Sequence, residues 1–339
     1  MHISGTSFET QDPDAFVAQC ADTMSDMGLS VTRDEAGISA GISGVTLWFS
    51  NVNGLVRVSL QSTEPDALAS VRSGVQAQLA ALNPALGELA WEGAGKKGDL
   101  PQNFSFAHVE SIETLSDDFL RMELHGNDLA RFATGGMHLR ILRQRDHTMT
   151  PAWPRISEKG TVKWPENNVQ LIHRVYTARY IDHADHKITV DILRHDGGTT
   201  SEWAASVIAG EVIGLIGPGG GDTPEGGWVL LAGDETAQPA ILRMLETLPP
   251  QTEGTAFLLA GAPGCEGQFD NKTRIDVQWL HRSRGDDLVA TVKRVVPPTR
   301  DDSYLWFAAS KSEARDIRAH FHEKLRQPRV RFTCAAYWV

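Results

Sequence analysis

From residue 228 to the end of the chain, short apolar runs alternate with helical spacings, and few folds satisfy that order. WVLLAG, GTAFLLAG, TRIDVQWLHR and SYLWFAAS read as strands, and TAQPAILRMLETL, DDLVATVKRVV and SEARDIRAHFHEKL as the helices among them. Buried strands joined by helices predict a parallel α/β sheet. Residues 104–222 have a different pattern. NFSFAHVESI, FLRMELHG, HLRILRQ, LIHRVYTARY and KITVDILRH are strand-like, with DHADH as the turn between the last two. Many strands with few helices predict a small antiparallel barrel. One short helix is expected at SEWAASVIAG, capped by Ser201, before EVIGLIGPGGG returns to strand and loop.

The first 93 residues follow a third pattern. Asp12 is placed to cap a helix with Pro13 at its first position, apolar residues at 16, 17, 20, 24 and 27, and Gly28 as terminator. LSVTR, GISAGI, VTLWFS and LVRVSL then alternate as strands, and TEPDALASVRSGVQAQLAAL is a second capped helix. Residues 83–103 lack periodicity and are rich in Gly and Pro, which predicts a linker. The expected class is therefore α+β and α/β multidomain. It comprises a small α+β domain at 1–93, an antiparallel β-barrel domain at 104–222 and a parallel α/β domain at 223–339, a division that 339 residues also favour.

The longest apolar runs are too short to cross a bilayer, and the N-terminus has neither a basic region nor an apolar one, so no membrane partner and a cytoplasmic location are expected. Cys20, Cys265 and Cys334 lie far apart and support neither a disulfide framework nor a metal ribbon. Two of the 12 histidines fall in HADH and two in HFH, without ligand partners at recognised spacing, so no protein-bound metal is expected. The net charge is -11, and residues 1–93 hold 3 Arg/Lys against 11 Asp/Glu. That balance lacks the basic footprint needed for nucleic acid.

A barrel followed by a parallel α/β domain is the order of flavin reductases, with flavin on the barrel and the nicotinamide nucleotide on the sheet. HRVYTARY, residues 173–180, then gains meaning. Arg174 suits a flavin phosphate, Tyr176 can lie flat on an isoalloxazine ring, and Thr177 can hydrogen-bond its edge.

Here the chain resembles the siderophore-interacting proteins, FAD-dependent ferric-siderophore reductases of the cytoplasm, over roughly residues 104–339. The family's R-x-Y-T-x-R flavin motif stands as Arg174, Tyr176, Thr177 and Arg179, and its next flavin segment as DILRH and GTTSEWA. The resemblance implies that Asp191, Ile192 and His195 line FAD, and that the turn at Thr200, Ser201 and Trp203 presents amides to its pyrophosphate. LLAGDETAQPAI matches a third family segment. Asp234 and Glu235 would repel phosphates there, so Gly233, Asp234, Thr236 and Pro239 are assigned to the nicotinamide end of NAD(P)H. Taken alone, the same residues are an ordinary helix cap. AAYWV resembles the family's terminal G-Y-W-R, which places Tyr337 and Trp338 beside the flavin. His138, Arg140 and Arg143, with Arg145, stand where the family has basic residues facing its substrate, although a solvated basic strand reads the same way. Arg282 and Arg284 are candidates for the nucleotide's ribose, and GPGGGD reads as a linker turn.

Three departures are visible: Val339 for the terminal Arg, Ala309 and Ser310 for a Gly-Glu pair, and Thr199 for Pro. The first two fall on the nucleotide side. The expected activity is NAD(P)H-dependent reduction of a ferric siderophore, with no certain catalytic side chain because the flavin carries the chemistry. The alternatives are a flavin reductase drawing on another donor such as ferredoxin, and an FAD-containing chelate-binding protein with little turnover. Residues 1–93 resemble a small domain found with such reductases and read as a packing or regulatory module.

Overall fold

The computed structural model describes residues 1–27, 29–146, 148, 150–165, 171–195, 197–324 and 331–339. Gly28, the expected terminator of the first helix, lies outside them. So does Leu325, the last residue of the expected final helix. Two compact units emerge: Met1–His108 with Gly126–Tyr176 and Val212–Asp222, and Val109–His125 with Thr177–Glu211 and Thr223–Val339.

In the first unit, β1 (His2–Glu9), α1 (Pro13–Asp26), β2 (Val31–Asp34), β3 (Gly37–Ile42), β4 (Val45–Val52), β5 (Leu55–Ser62) and α2 (Pro65–Leu82) follow in order. The strands form an antiparallel sheet in the order β1-β5-β4-β3-β2. Asp12 caps α1 as expected, accepting from the Ala15 amide at 3.0 Å, an arrangement that contributes about 1 kcal/mol. Strand β1 was not anticipated. Its inward positions are Ser4, Thr6 and Phe8, so two of three carry hydroxyls and the apolar alternation is hidden.

The expected linker at 83–103 is packed against this sheet. Leu89, Trp91 and Ala94 belong to the same core as Val56, Val58 and Leu60, and Gly5 and Glu92 exchange backbone hydrogen bonds. Gly93, with φ at 69°, sits so close to the Ile3 carbonyl that a side chain has no room. Helix α2 is also tied to residues beyond that segment: the Ser70 hydroxyl donates to the Pro218 carbonyl at 2.8 Å and accepts from Asn103 Nδ2 at 2.9 Å.

The middle of the chain supplies β6 (Phe104–Thr114), β7 (Phe119–His125), β8 (His138–Gln144), β9 (Arg155–Ile156), β10 (Val162–Lys163), β11 (Leu171–Thr177), β12 (Tyr180–Asp182), β13 (Lys187–Leu193), α3 (Thr199–Ala204) and β14 (Val212–Gly219). Seven of these strands make one sheet in the order β11-β8-β14-β6-β7-β13-β12. Only Ala178 and Arg179 separate its first and last members in the chain, which is the connectivity a barrel uses. β9 and β10 pair apart from it.

The remainder lies in the second unit: β15 (Trp228–Gly233), α4 (Gln238–Thr247), β16 (Glu253–Ala260), β17 (Arg274–His281), α5 (Leu288–Lys293), β18 (Ser303–Ser310), α6 (Lys311–Lys324) and β19 (Arg331–Trp338). All five strands are parallel in the order β17-β16-β15-β18-β19. The chain therefore combines antiparallel sheets with one parallel sheet. Leu230, Phe257, Leu305 and Phe307 meet Ile317 and Phe321 of α6 in its core. β19 was not foreseen; RFTCAAYW has no apolar run to mark it. Among the described residues no helix is long and apolar enough to cross a membrane.

Candidate functional site

In the first unit, β11 turns unusual side chains outward. Leu171 and Ile172 are buried, but Arg174 and Val175 are exposed, Val175 by 54%, and Tyr176 is half-buried. Arg174 donates to the neighbouring His173 carbonyl at 2.9 Å, and among the described residues no carboxylate pairs with it. On β8, Arg140 is half-buried, Arg143 is buried and His138 lies against Gly220. Arg140 Nη1 stands 2.8 Å from His173 Nδ1.

In the second unit, Arg179 is not a surface cation. It is 1% exposed, and its guanidinium makes two hydrogen bonds to Glu246 of α4, at 2.5 and 2.9 Å. Asp191 lies 3.9 Å from it and takes two hydrogen bonds from Arg121, at 2.8 and 2.9 Å. Residues 121 and 191 are directly opposite in the β7–β13 pairing. Tyr180 completes the group, donating to Glu246 at 3.1 Å with the Arg179 guanidinium 4.0 Å from its ring centre. Arg243 donates to the Ala178 carbonyl at 2.6 Å. The motif residues Arg179 and Asp191 are thus committed to ion pairs fastening the β11–β12 turn and β13 to α4. Ile192 is buried between the same strands and Thr177 is buried beside them.

An open pocket of about 380 Å³ lies at the start of α3, lined by Asp117, Arg194, His195, Gly197, Ser201, Glu202 and Ala205. Ser201 does not cap the helix. The cap position is Gly198, which brings no side-chain hydrogen bond, while the Ser201 hydroxyl accepts from the His195 amide at 3.3 Å. Gly198 is required for space, because a Cβ there would meet the His195 ring at 2.6 Å. Trp203 is buried and its indole donates to Glu211 at 2.8 Å; Thr200 is buried as well. Arg194 and His195 share this lining with the carboxylates of Asp117 and Glu202.

At the end of β15, Gly233 allows the chain to pass within close reach of Ala237 and the Ala308 carbonyl. Asp234 accepts from the Thr236 amide at 3.0 Å and from the Trp338 indole at 2.7 Å, and Pro239 starts α4. The cap seen as an alternative in the sequence is therefore present, and the C-terminal strand is hooked onto it. Burial, opposed by the hydrogen bonds from Thr236 and Trp338, raises the Asp234 carboxyl above its ordinary range. Tyr337 packs edge-on against Trp306 with ring centres 6.2 Å apart, and burial pushes its phenol up. Arg282, a candidate for the ribose, is held by Glu235 through two bonds of 2.6 and 2.8 Å. Ser310 and Glu313 form a reciprocal capping box at the head of α6, which explains the serine in place of the family's acid.

A pH prediction follows for Asp234. A carboxyl raised in the folded state adds stability below its ordinary value of 3.8 and loses it as pH rises through the folded-state value. Asp234→Asn is therefore expected to gain stability relative to the parent as pH climbs from acid to neutral. Urea unfolding of both proteins across that range checks it, and parallel profiles would refute it.

Residues 226–339 match the siderophore-interacting protein family, and residues 108–222 match the siderophore-interacting FAD-binding domain. An uncharacterised protein of Mycobacterium tuberculosis is 41% identical over 119 residues, 34% of this chain; the chain spans only 42% of that curated relative's length. An NADPH-dependent ferric-chelate reductase of Escherichia coli is 29% identical over 239 residues, 68% of this chain and 91% of that protein. The crystal structure of a siderophore utilization protein from T. fusca is similar with a TM-score of 0.60 at 25% identity, covering 69% of this chain and 92% of that one.

Proposed function

Because the chain belongs to the siderophore-interacting protein family over its matched domains, we propose that it is an FAD enzyme that releases iron from ferric siderophores using NAD(P)H. Of the groups the resemblance assigns to the flavin, Arg174 and Tyr176 hold the cofactor on β11, Thr177 bonds its ring edge, and Ser201 and His195 flank its phosphates. Arg179, Asp191 and Ile192 act one step back, fixing the strand and turn that carry those groups. Trp203 and Thr200 hold α3 in place. Gly233, Asp234, Thr236 and Pro239 shape the nicotinamide site, with Tyr337 and Trp338 at its edge. His138, Arg140 and Arg143 give the substrate side its positive charge.

FAD, held by Arg174, Tyr176 and Thr177, would supply hydride acceptance and one-electron release, the two capacities that link one nicotinamide to two ferric ions. The side chains orient, exclude water and neutralise charge; no protein acid or base is required. The ferrous ion binds hard oxygen donors less tightly, which frees it from the chelate. The observation that carries this reading is the match of residues 108–222 to the siderophore-interacting FAD-binding domain, with Arg174 exposed and Tyr176 half-buried on β11. Its test is cofactor content. Purified protein is expected to hold one FAD per chain, or to take one up on reconstitution; a chain that does neither refutes the proposal. The hook between Asp234 and Trp338 favours one second reading, in which the C-terminal strand slows nicotinamide entry and a ferredoxin supplies the electrons.

A further inference from the structure

Arg72 is a cation placed in an apolar core. It stands on α2 at the spacing of Leu68, Val75 and Leu79, which makes one helix face, and that face packs into the same core as Val56, Val58 and Leu60 of β5. The residue is 2% exposed. Neither Nη1 nor Nη2 of its guanidinium has a hydrogen-bond partner, and among the described residues no carboxylate pairs with it. Acids are not scarce: residues 1–93 hold 11 Asp/Glu against 3 Arg/Lys, and Arg33, another of those three cations, is bonded to Asp22 at 3.0 Å. Burial pushes the Arg72 guanidinium down to about 10, so it is still charged at neutral pH. Helix α2 also packs on β1, where the inward Thr6 has a buried hydroxyl that likewise lacks a partner. An unpaired buried charge and an unpaired buried hydroxyl both cost stability, and an apolar side chain of similar volume at position 72 would not. Two parallel donors favour an incoming pair of oxygens. One cation neutralises one negative charge, and the aliphatic surroundings suit an apolar body.

We propose that the interior of residues 1–93, between α2 and β1, binds a monocarboxylate with an apolar tail, its two oxygens on Nη1 and Nη2 of Arg72 and its tail among the aliphatic side chains. The Thr6 hydroxyl donates to the same carboxylate. Entry requires α2 to lift from β1, so binding is felt in both elements. The site is separate from those of FAD and NAD(P)H.

Calorimetric titration of the full chain with octanoate, octan-1-ol and octyl phosphate separates charge from tail. Octanoate is expected to bind about tenfold tighter or more than the alcohol, which lacks the charge, and than the phosphate, which carries a second charge above about pH 7. Arg72→Met should bring octanoate down to the affinity of the alcohol, a loss of about 10- to 100-fold, while leaving the protein at least as resistant to urea as the parent. Thr6→Val should cost about threefold. Hydrogen exchange in α2 and β1 is expected to slow when octanoate is added. No saturable binding of octanoate by the parent, an affinity retained in Arg72→Met, or tighter binding of octyl phosphate would overturn the proposal. An Arg72→Met protein that unfolds would overturn it as well, because the guanidinium would then already be satisfied within the fold.

Discussion

Replacing Glu246 by alanine is expected to destabilise the chain by about 3–5 kcal/mol, a large effect for a single carboxylate in an α/β helix. The reason is what it leaves behind. Arg179 has no exposed side-chain surface, and its nearest other carboxylate, Asp191, is 3.9 Å away and already bonded to Arg121. Removing Glu246 strands a buried guanidinium, whereas Glu246→Ala combined with Arg179→Met removes both charges and should recover most of the loss. Urea unfolding of the three variants measures this; a single-variant loss under about 1 kcal/mol would mean that water reaches the pair. The pH profile gives an independent reading. Burial alone would push the Glu246 carboxyl up, but Arg179, the Asp270 amide and Tyr180 outweigh it and hold the group below its ordinary value of 4.5. Its stabilisation is therefore present above that value and is lost as pH falls through the folded-state one. Glu246→Ala should lack that acid slope.

Arg174→Ala is expected to weaken FAD binding by about 10- to 100-fold while leaving the fold intact, since a hydrogen bond to a charged group contributes about 1.5–3 kcal/mol. Arg174 suits this test because it donates to the adjoining His173 carbonyl and, among the described residues, its removal breaks no distant hydrogen bond or ion pair. Flavin fluorescence on titration reads the affinity directly. Unchanged affinity would take Arg174 out of the cofactor site and leave the exposure of Val175 and Tyr176 without an explanation. The contrast with Arg179 is instructive: two arginines of one motif, one exposed and one buried in ion pairs, should fail in different ways, the first in cofactor affinity and the second in stability.

Four of the five strands and the helices of the α/β part were legible because buried parallel strands and amphipathic helices write different periods into the sequence. β1 escaped because Ser4 and Thr6 take inward positions where apolar residues are expected, and the packed segment at 83–103 because Leu89, Trp91 and Ala94 stand singly among turn residues. Motif resemblance placed residues in the right segments but could not show what they touch. Arg179 and Glu246 are 67 positions apart, and Arg121 meets Asp191 through cross-strand register alone. Arg282 reads as a free loop cation until Glu235 is seen to hold it. His173 lies within HRVYTARY, yet Arg140 and Trp164 reach it from β8 and from beyond β10, so nothing local marks these contacts.

The central claim, that this chain passes electrons from a reduced nicotinamide to siderophore-bound iron, is tested most directly without oxygen. The visible spectrum of the flavin-loaded protein is recorded, NADH or NADPH is added, and a ferric siderophore follows together with a ferrous trap. The account predicts that one of the nucleotides bleaches the flavin band and that the band returns as the ferrous complex appears. A flavin band that neither nucleotide bleaches, or a bleached band that the ferric chelate does not restore, would contradict it.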